Sequence, residues 1–277
     1  MKLPDFDGRF AKHLEKWARD NASKFKNADV MEAQLPDVYL RWLNTPMSWL
    51  DGLTPGTAFA GYTDAAQLVQ MLVDYDQQGT PVPDPLMERI VELGDDAALP
   101  LAGIALNAGY GPELRILALN LLKECSPIPE SLDKDLAALM VSNADADVKE
   151  VASELLVAQG RRVVGPLKAL LDGAGEADAE RFLDVLCNFP GDESIYNYAV
   201  KCFLNRPERR ALMASYLGKL GDERAIAHLE KALNLTELNY LDYIEIRSAI
   251  ERLGGEVTTE REFSGDPYYE SMRRMQD

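Results

Sequence analysis

Hydrophobic positions recur along the chain at two scales. Locally they fall three and four residues apart, the spacing of one face of an α-helix. Phe6 to Phe25 carries such an amphipathic pattern, Pro36 to Asn44 a second and Asp64 to Gln78 a third. The third opens after Thr63-Asp64, either of which suits an N-cap. At the larger scale, short glycine-ended segments repeat: Val91-Glu-Leu-Gly94, Val157-Ala-Gln-Gly160, Asn188-Phe-Pro-Gly191, Gly218-Lys-Leu-Gly221 and Arg252-Leu-Gly254, with Cys125-Ser126 in the equivalent place between the first two. Successive anchors are 32, 34, 31, 30 and 33 residues apart, the period of a two-helix repeat. Glycine fits an anchor because helices commonly end on a left-handed residue, which only glycine adopts without steric cost.

Counting back from each anchor after Gly94, the fourth residue is Leu122, Leu156, Cys187, Leu217 and Ile250, and the fifth is Leu121, Leu155, Leu186, Tyr216 and Ala249. The eighth is Ala118, Ala152, Leu183, Met213 and Ile246. These places share one helix face and predict a buried seam. The third, sixth and seventh places vary in chemistry, from Asn120 and Lys123 through Glu154, Asp184, Asn188 and Ser215 to Arg247, Ser248 and Glu251. A common buried stripe beside a variable face is what stacked repeats require. Residues 1–80 lack the period and are expected to form a helical cap, joined through Gly79-Thr-Pro-Val-Pro-Asp-Pro85 to repeats over 81–255. The tail, 256–277, shows no sustained periodicity.

The segments after the anchors carry a resemblance. Leu220-Gly-Asp-Glu-Arg-Ala-Ile-Ala-His-Leu-Glu-Lys-Ala-Leu233 resembles the HEAT-like repeat of phycobilisome lyases and many bacterial proteins. Gly160-Arg-Arg-Val-Val-Gly-Pro-Leu-Lys-Ala-Leu-Leu171 and Leu93-Gly-Asp-Asp-Ala-Ala-Leu-Pro-Leu101 are similar to it. Arg115, Lys149 and Arg210, eleven before their anchors, and Arg181, ten before its own, match the family's arginine near the start of the second helix. The last repeat departs, with Tyr243 in that place and Arg247 one turn later. The resemblance implies an all-α fold, a right-handed α-α superhelix or HEAT-like solenoid with an N-terminal helical cap. It does not imply one function, because such repeats serve many.

Composition changes the picture in one respect. The 277 residues include 29 Lys+Arg against 46 Asp+Glu, a formal charge of −17. Residues 1–60 hold eight basic and eight acidic side chains and residues 61–150 hold five and 16, so the excess begins after residue 60. Such a field repels nucleic acid and anionic lipid; a solvated acidic surface is the plainer reading of it, and a docking face for a basic partner the sharper one. Cys125, Cys187 and Cys202, without a C-x-x-C pair, read as reduced thiols of a cytoplasmic protein. No signal core opens the chain, and the longest apolar run, Ala97 to Leu106, is far short of the roughly 20 residues of a membrane span.

Catalytic chemistry finds little to work with. His13 and His228 are the only histidines, which leaves zinc few ligands and assigns both to surface or packing. The cysteines look like small core hydrophobes, and no nucleophile elbow, phosphate loop or dinucleotide fingerprint occurs. Asn143, Asp145, Asp147 and Glu154 occupy places 1, 3, 5 and 12 of a calcium loop, but Val148 stands where that loop needs glycine. A helix cap at Asp145 or Asp147 is the better account. The row Arg115, Lys149, Arg181 and Arg210 is assigned to pairing with carbonyls or carboxylates of adjacent repeats in preference to phosphate, with Glu113, Asp147, Glu180 and Glu208 near it in sequence. Tyr39, Trp42, Trp49 and Tyr62 are assigned to the core of the cap, a groove where cap and repeats join being the alternative.

These readings point to a non-catalytic scaffold with no metal or cofactor, binding a protein or peptide on the variable face at Asn120, Lys123, Glu154, Asp184, Asn188, Ser215, Arg247, Ser248 and Glu251. The alternative is an enzyme of the HEAT-like class, either bilin lyase-like or a DNA alkylpurine glycosylase, the latter at odds with the acidic charge.

Overall fold

The computed structural model describes residues 3–125, 127–258 and 261–275. Among them the regular structure is helical, sixteen α-helices with short 3-10 turns and no strand. The chain divides into two compact units, residues 1–135 with 143–151, and residues 136–142 with 152–277.

The first unit contains α1 (Phe6–Asn21), α2 (Ala28–Glu32), α3 (Leu35–Leu43), α4 (Ala65–Gln77), α5 (Asp84–Glu92), α6 (Asp95–Leu106) and α7 (Pro112–Glu124). The helices α8 (Asp133–Met140) and α9 (Ala146–Ala158) have residues in both units. Asp64, and not Thr63, caps α4, its carboxylate accepting from the Ala66 and Gln67 amides. The first helix is shorter than its periodicity predicts. Asn21 Nδ2 donates to the Trp17 carbonyl at 2.7 Å, the local competition with backbone that ends helices, and a 3-10 turn follows over Ala22–Lys24. The five-residue α2, capped by Asn27, is too short to show a period and was not expected. Leu68, Leu72 and Tyr75 of α4, Leu86 and Ile90 of α5, Leu101 of α6 and Leu119 and Leu122 of α7 are each less than 2% exposed in the core of this unit. In this core α6 packs on α4 and α7, and α5 packs on α4 and α7.

The second unit continues with α10 (Val164–Leu171), α11 (Glu176–Leu186), α12 (Glu193–Asn205), α13 (Arg210–Leu220), α14 (Ile226–Leu233), α15 (Tyr240–Arg252) and α16 (Pro267–Arg274). Here α13 packs on α12 and most closely on α15, which also covers α14. The Gly-Asp-x-Arg motif has a clear local cause. Gly221 ends α13 in the left-handed conformation (φ 67°, ψ 19°), and Asp222 then accepts from the Arg224 amide to start the 3-10 turn Glu223–Ala225 that leads into α14. Gly94, Gly160, Gly191 and Gly254 also have positive φ, between 54° and 92°. All fifteen residues of the predicted seam are buried, none more than 6% exposed.

The tail is more ordered than its lack of periodicity suggested. Phe263 is 7% exposed and packs against Tyr240 and Tyr243, while Asp266 caps α16. Arg261 donates to the carbonyls of Leu233, Leu235 and Thr236, which closes the C-terminus of α14.

Candidate functional site

The variable-face residues lie on five helices. Asn120 and Lys123 are on α7, Glu154 on α9, Asp184 on α11 with Asn188 just beyond it, Ser215 on α13, and Arg247, Ser248 and Glu251 on α15. Seven of the nine are exposed, and Asp184 and Ser215 are half-buried. Within the second unit α11, α13 and α15 are brought side by side. Lys219 of α13 reaches Asp184 of α11 at 2.8 Å, and the Tyr216 hydroxyl donates to the Glu180 carbonyl at 3.2 Å. On α15, Arg247 pairs with Glu251 at 2.8 Å across one turn. The Asn188 side chain donates back to the carbonyls of Asp184 and Val185.

The variable places are not all open to solvent. Leu119, Ser153, Val185, Ala214 and Gly218 occupy variable places yet are buried. The reason is closest to view at α13, where Gly218 lies against Ala249 of α15 and only Ser215 of the three variable places remains partly accessible.

Arg115 and Arg210 of the basic row are buried, but the Arg115 bond to a carbonyl stays within its own helix pair, α6 and α7, instead of reaching an adjacent repeat. Arg115 is 6% exposed and its Nε donates to the Ala105 carbonyl at 2.8 Å, completing the end of α6. Arg210 and Asp242 are both 7% exposed. Burial raises the Asp242 pKa above the ordinary carboxylate value, and the neighbouring Arg210 charge and the Ala211 amide oppose that rise. Lys149 and Arg181 are half-buried on α9 and α11. Glu180 is 9% exposed and sits 2.8 Å from Arg206 Nη2 and 3.1 Å from Arg209 Nε, neither contact aligned as a hydrogen bond.

The other candidates resolve locally. Asp145 accepts from the Asp147 amide at 2.9 Å as α9 begins, which is the capping account of that acidic run. Cys187 is wholly buried, and burial pushes its thiol pKa far above the ordinary value, so the reactive thiolate is disfavoured. His13 is exposed and stacks on Phe10, and His228 is half-buried. Among the described residues no group of three His, Cys, Asp or Glu is placed to hold a metal ion, and no helix is long and apolar enough to cross a membrane. Trp42 is core, 3% exposed between Phe6, Phe10 and Tyr39. Trp49 is half-buried under Arg9, whose guanidinium carbon is 4.3 Å from the ring.

Three hollows accompany these residues. One of about 200 Å³ lies between α4 and α6, beside Val69, Val73, Pro100 and Tyr110, in the region proposed for a groove between cap and repeats. A second, of about 550 Å³, is bordered by Leu233, Tyr243 and Arg261, and that guanidinium is already committed to helix carbonyls. The third, of about 530 Å³, lies between α5 and α7 and is lined by Met87, Val91 and Leu121 with Asp84, Glu88, Glu92 and Glu124 around them. This groove is not among the expected binding positions, although Met87, Glu88 and Val91 fall seven, six and three places before Gly94, the variable register itself.

No family model matches the chain, and no curated protein matches it.

Proposed function

We propose that this chain is a non-catalytic, cytoplasmic scaffold of the HEAT-like class, a right-handed curved stack that holds a protein or peptide on the surface lined by its second helices. The observation that carries this reading is the division within single helices. On α15, Ile246, Ala249 and Ile250 are buried while Arg247, Ser248 and Glu251 beside them are exposed, and the same seam is buried in every repeat. The positive φ of all five glycine anchors and the lateral packing of α13 on α15 support the repeat architecture. Unpaired cysteines at 125, 187 and 202 agree with a reducing compartment. The excess acidic charge favours a basic partner over nucleic acid or an anionic membrane.

A photo-crosslinking amino acid at Asn188 or Ser248 tests the surface, with exposed Lys201 of α12 as the control. The partner should crosslink from 188 and 248. Crosslinking from 201 alone would place the working surface elsewhere. Joint replacement of Glu154, Asp184 and Glu251 by lysine should then weaken binding of the crosslinked partner at low salt, with the helical circular dichroism retained.

A further inference from the structure

The groove between α5 and α7 has a chemistry that the rest of the variable face lacks. Its floor is apolar: Leu121 of α7 is 6% exposed, and Met87 and Val91, one turn apart on α5, are left half-buried. Its margins are acidic. Asp84, Glu88 and Glu92 stand at i, i+4 and i+8 along α5, all exposed, and Glu124 faces them from α7. At 1.5 Å per residue the three α5 carboxylates recur about every 6 Å along the helix. Like charges at this spacing destabilise a helix. The cation on this helix, Arg89, bonds Glu92 at 2.7 Å and spends its other donors on the Tyr62 carbonyl, so it offsets one end of the row. At the other end Asp84 accepts from the Tyr39 hydroxyl at 2.9 Å, which fixes its position without neutralising it.

We infer that this groove receives a basic amphipathic helix of a partner protein. The inference rests on the protein-binding reading above and gives that partner its chemistry. The occupant sets an apolar ridge on Met87, Val91 and Leu121 and directs lysine or arginine side chains to Glu88 and Glu124 on the two margins. Charge complementarity selects the sign, because a cationic flank relieves the carboxylate row along α5. The apolar floor selects a helix with a hydrophobic ridge over a small polycation, which would satisfy the carboxylates and leave Met87 and Val91 wet. A slot between two packed helices accepts a third by ridge-into-groove packing, and a flexible methionine adapts the floor to different ridges.

The test uses the full chain and two fluorescein-labelled 18-residue peptides of identical leucine and lysine content, one with leucines at i, i+3, i+4 and i+7, the other scrambled. Fluorescence anisotropy should show the ordered peptide binding at least tenfold more tightly than the scrambled one. The double variant Glu88→Lys/Glu124→Lys and the nearly isosteric Val91→Thr should each weaken it, the first by at least tenfold and the second by about threefold, with circular dichroism unchanged. Equal affinity for the two peptides, or complete displacement by millimolar spermine from wild type and Val91→Thr alike, would show attraction to charge alone and overturn the proposal. Sedimentation showing that the same variants abolish self-association would assign the groove to a second copy and overturn it as well. If Asp184→Lys/Glu251→Lys weakens the ordered peptide and the groove variants do not, the scaffold reading stands and the groove assignment fails. Loss of the partner crosslinks at 188 and 248 with the groove behaviour intact is the opposite result.

Discussion

A Cβ added at Gly218 would stand 3.2 Å from the Cα and 3.3 Å from the Cβ of Ala249, so α13 and α15 approach with glycine against alanine and no room between them. Both residues lie on helices whose other contacts are large and apolar, Leu217 and Ile250 among them. Close approach here is what lets those neighbours bury completely. Gly218→Val should push the helices apart and lower stability by about 2 kcal/mol, the cost of overpacking a core. Gly218→Ala sets a propensity gain of about 1 kcal/mol against the same crowding and should be much milder. Urea unfolding of both variants is the check, and a valine variant as stable as wild type would contradict the packing.

Arg115 tests the structural assignment of the basic row. Its guanidinium completes the buried Ala105 carbonyl, so Arg115→Met should leave that acceptor unsatisfied and cost about 2 kcal/mol. Arg115→Lys should not fully restore stability, because a lysine ammonium lacks the planar, multiply donating geometry. A loss below about 0.5 kcal/mol by denaturant titration, the range of ordinary surface changes, would mean the arginine is dispensable to the fold.

The cysteines should differ in reactivity. Cys187 is fully buried, and burial dominates the rise in its pKa despite the opposing charge of Lys219. Cys202 is half-buried, and Arg206 partly opposes the rise that burial causes there. Mass spectrometry after brief alkylation at pH 8 should find Cys202 modified first and Cys187 protected until the protein unfolds. Equal labelling of the two would contradict the burial.

Asp192 gives a pH dependence of known sign. The Lys168 ammonium at 2.6 Å, the Ser194 hydroxyl and the amides at the start of α12 hold its carboxyl well below the ordinary value of 3.8. The folded-state value is the lower one, so the contribution is present above 3.8 and is lost as pH falls from there through the folded value. Asp192→Asn keeps an N-cap acceptor and removes the charge. The stability gap between wild type and this variant should be at most about 1 kcal/mol at pH 7, as for partly exposed pairs. It should shrink in urea titrations taken toward pH 2.5. A gap that does not change with pH would remove the ion pair as its source.

The parts of the fold that were legible in the sequence are those with local causes. The seam residues from Ala118 to Ile250 are buried as their spacing predicts, because a helix presents the same face every 3.6 residues whatever it packs on. Asp64 and Asp145 reveal helix starts through side-chain caps within three residues. The tail helix was hidden for the opposite reason. Its sequence, Pro267 to Arg274, buries no residue, and its order comes from Phe263 packing on Tyr240 and Tyr243, 23 and 20 residues back along the chain. The exposed variable places were only partly legible. Periodicity separates buried from outward faces but does not say that α15 covers Gly218, or that Lys219 will find Asp184, 35 residues distant. The α5/α7 groove was present in the same register, seven, six and three places before Gly94, on the helix that precedes the first complete pair.

Asp266 gives the end of the chain a collective behaviour. One of its oxygens accepts from the Tyr240 amide at 3.1 Å and the other from the amides of Tyr268 and Tyr269, and these bonds hold its pKa below the ordinary carboxylate value. A single carboxylate thus latches the first turns of α15 and α16 together, 26 residues apart in sequence. Proton uptake there weakens the bonds to both turns at once, and replacement by alanine removes them. The Tyr240, Tyr268 and Tyr269 amides then exchange with solvent as one opening event, and the terminal helix and the start of α15 fray as a unit instead of peeling away from the end residue by residue.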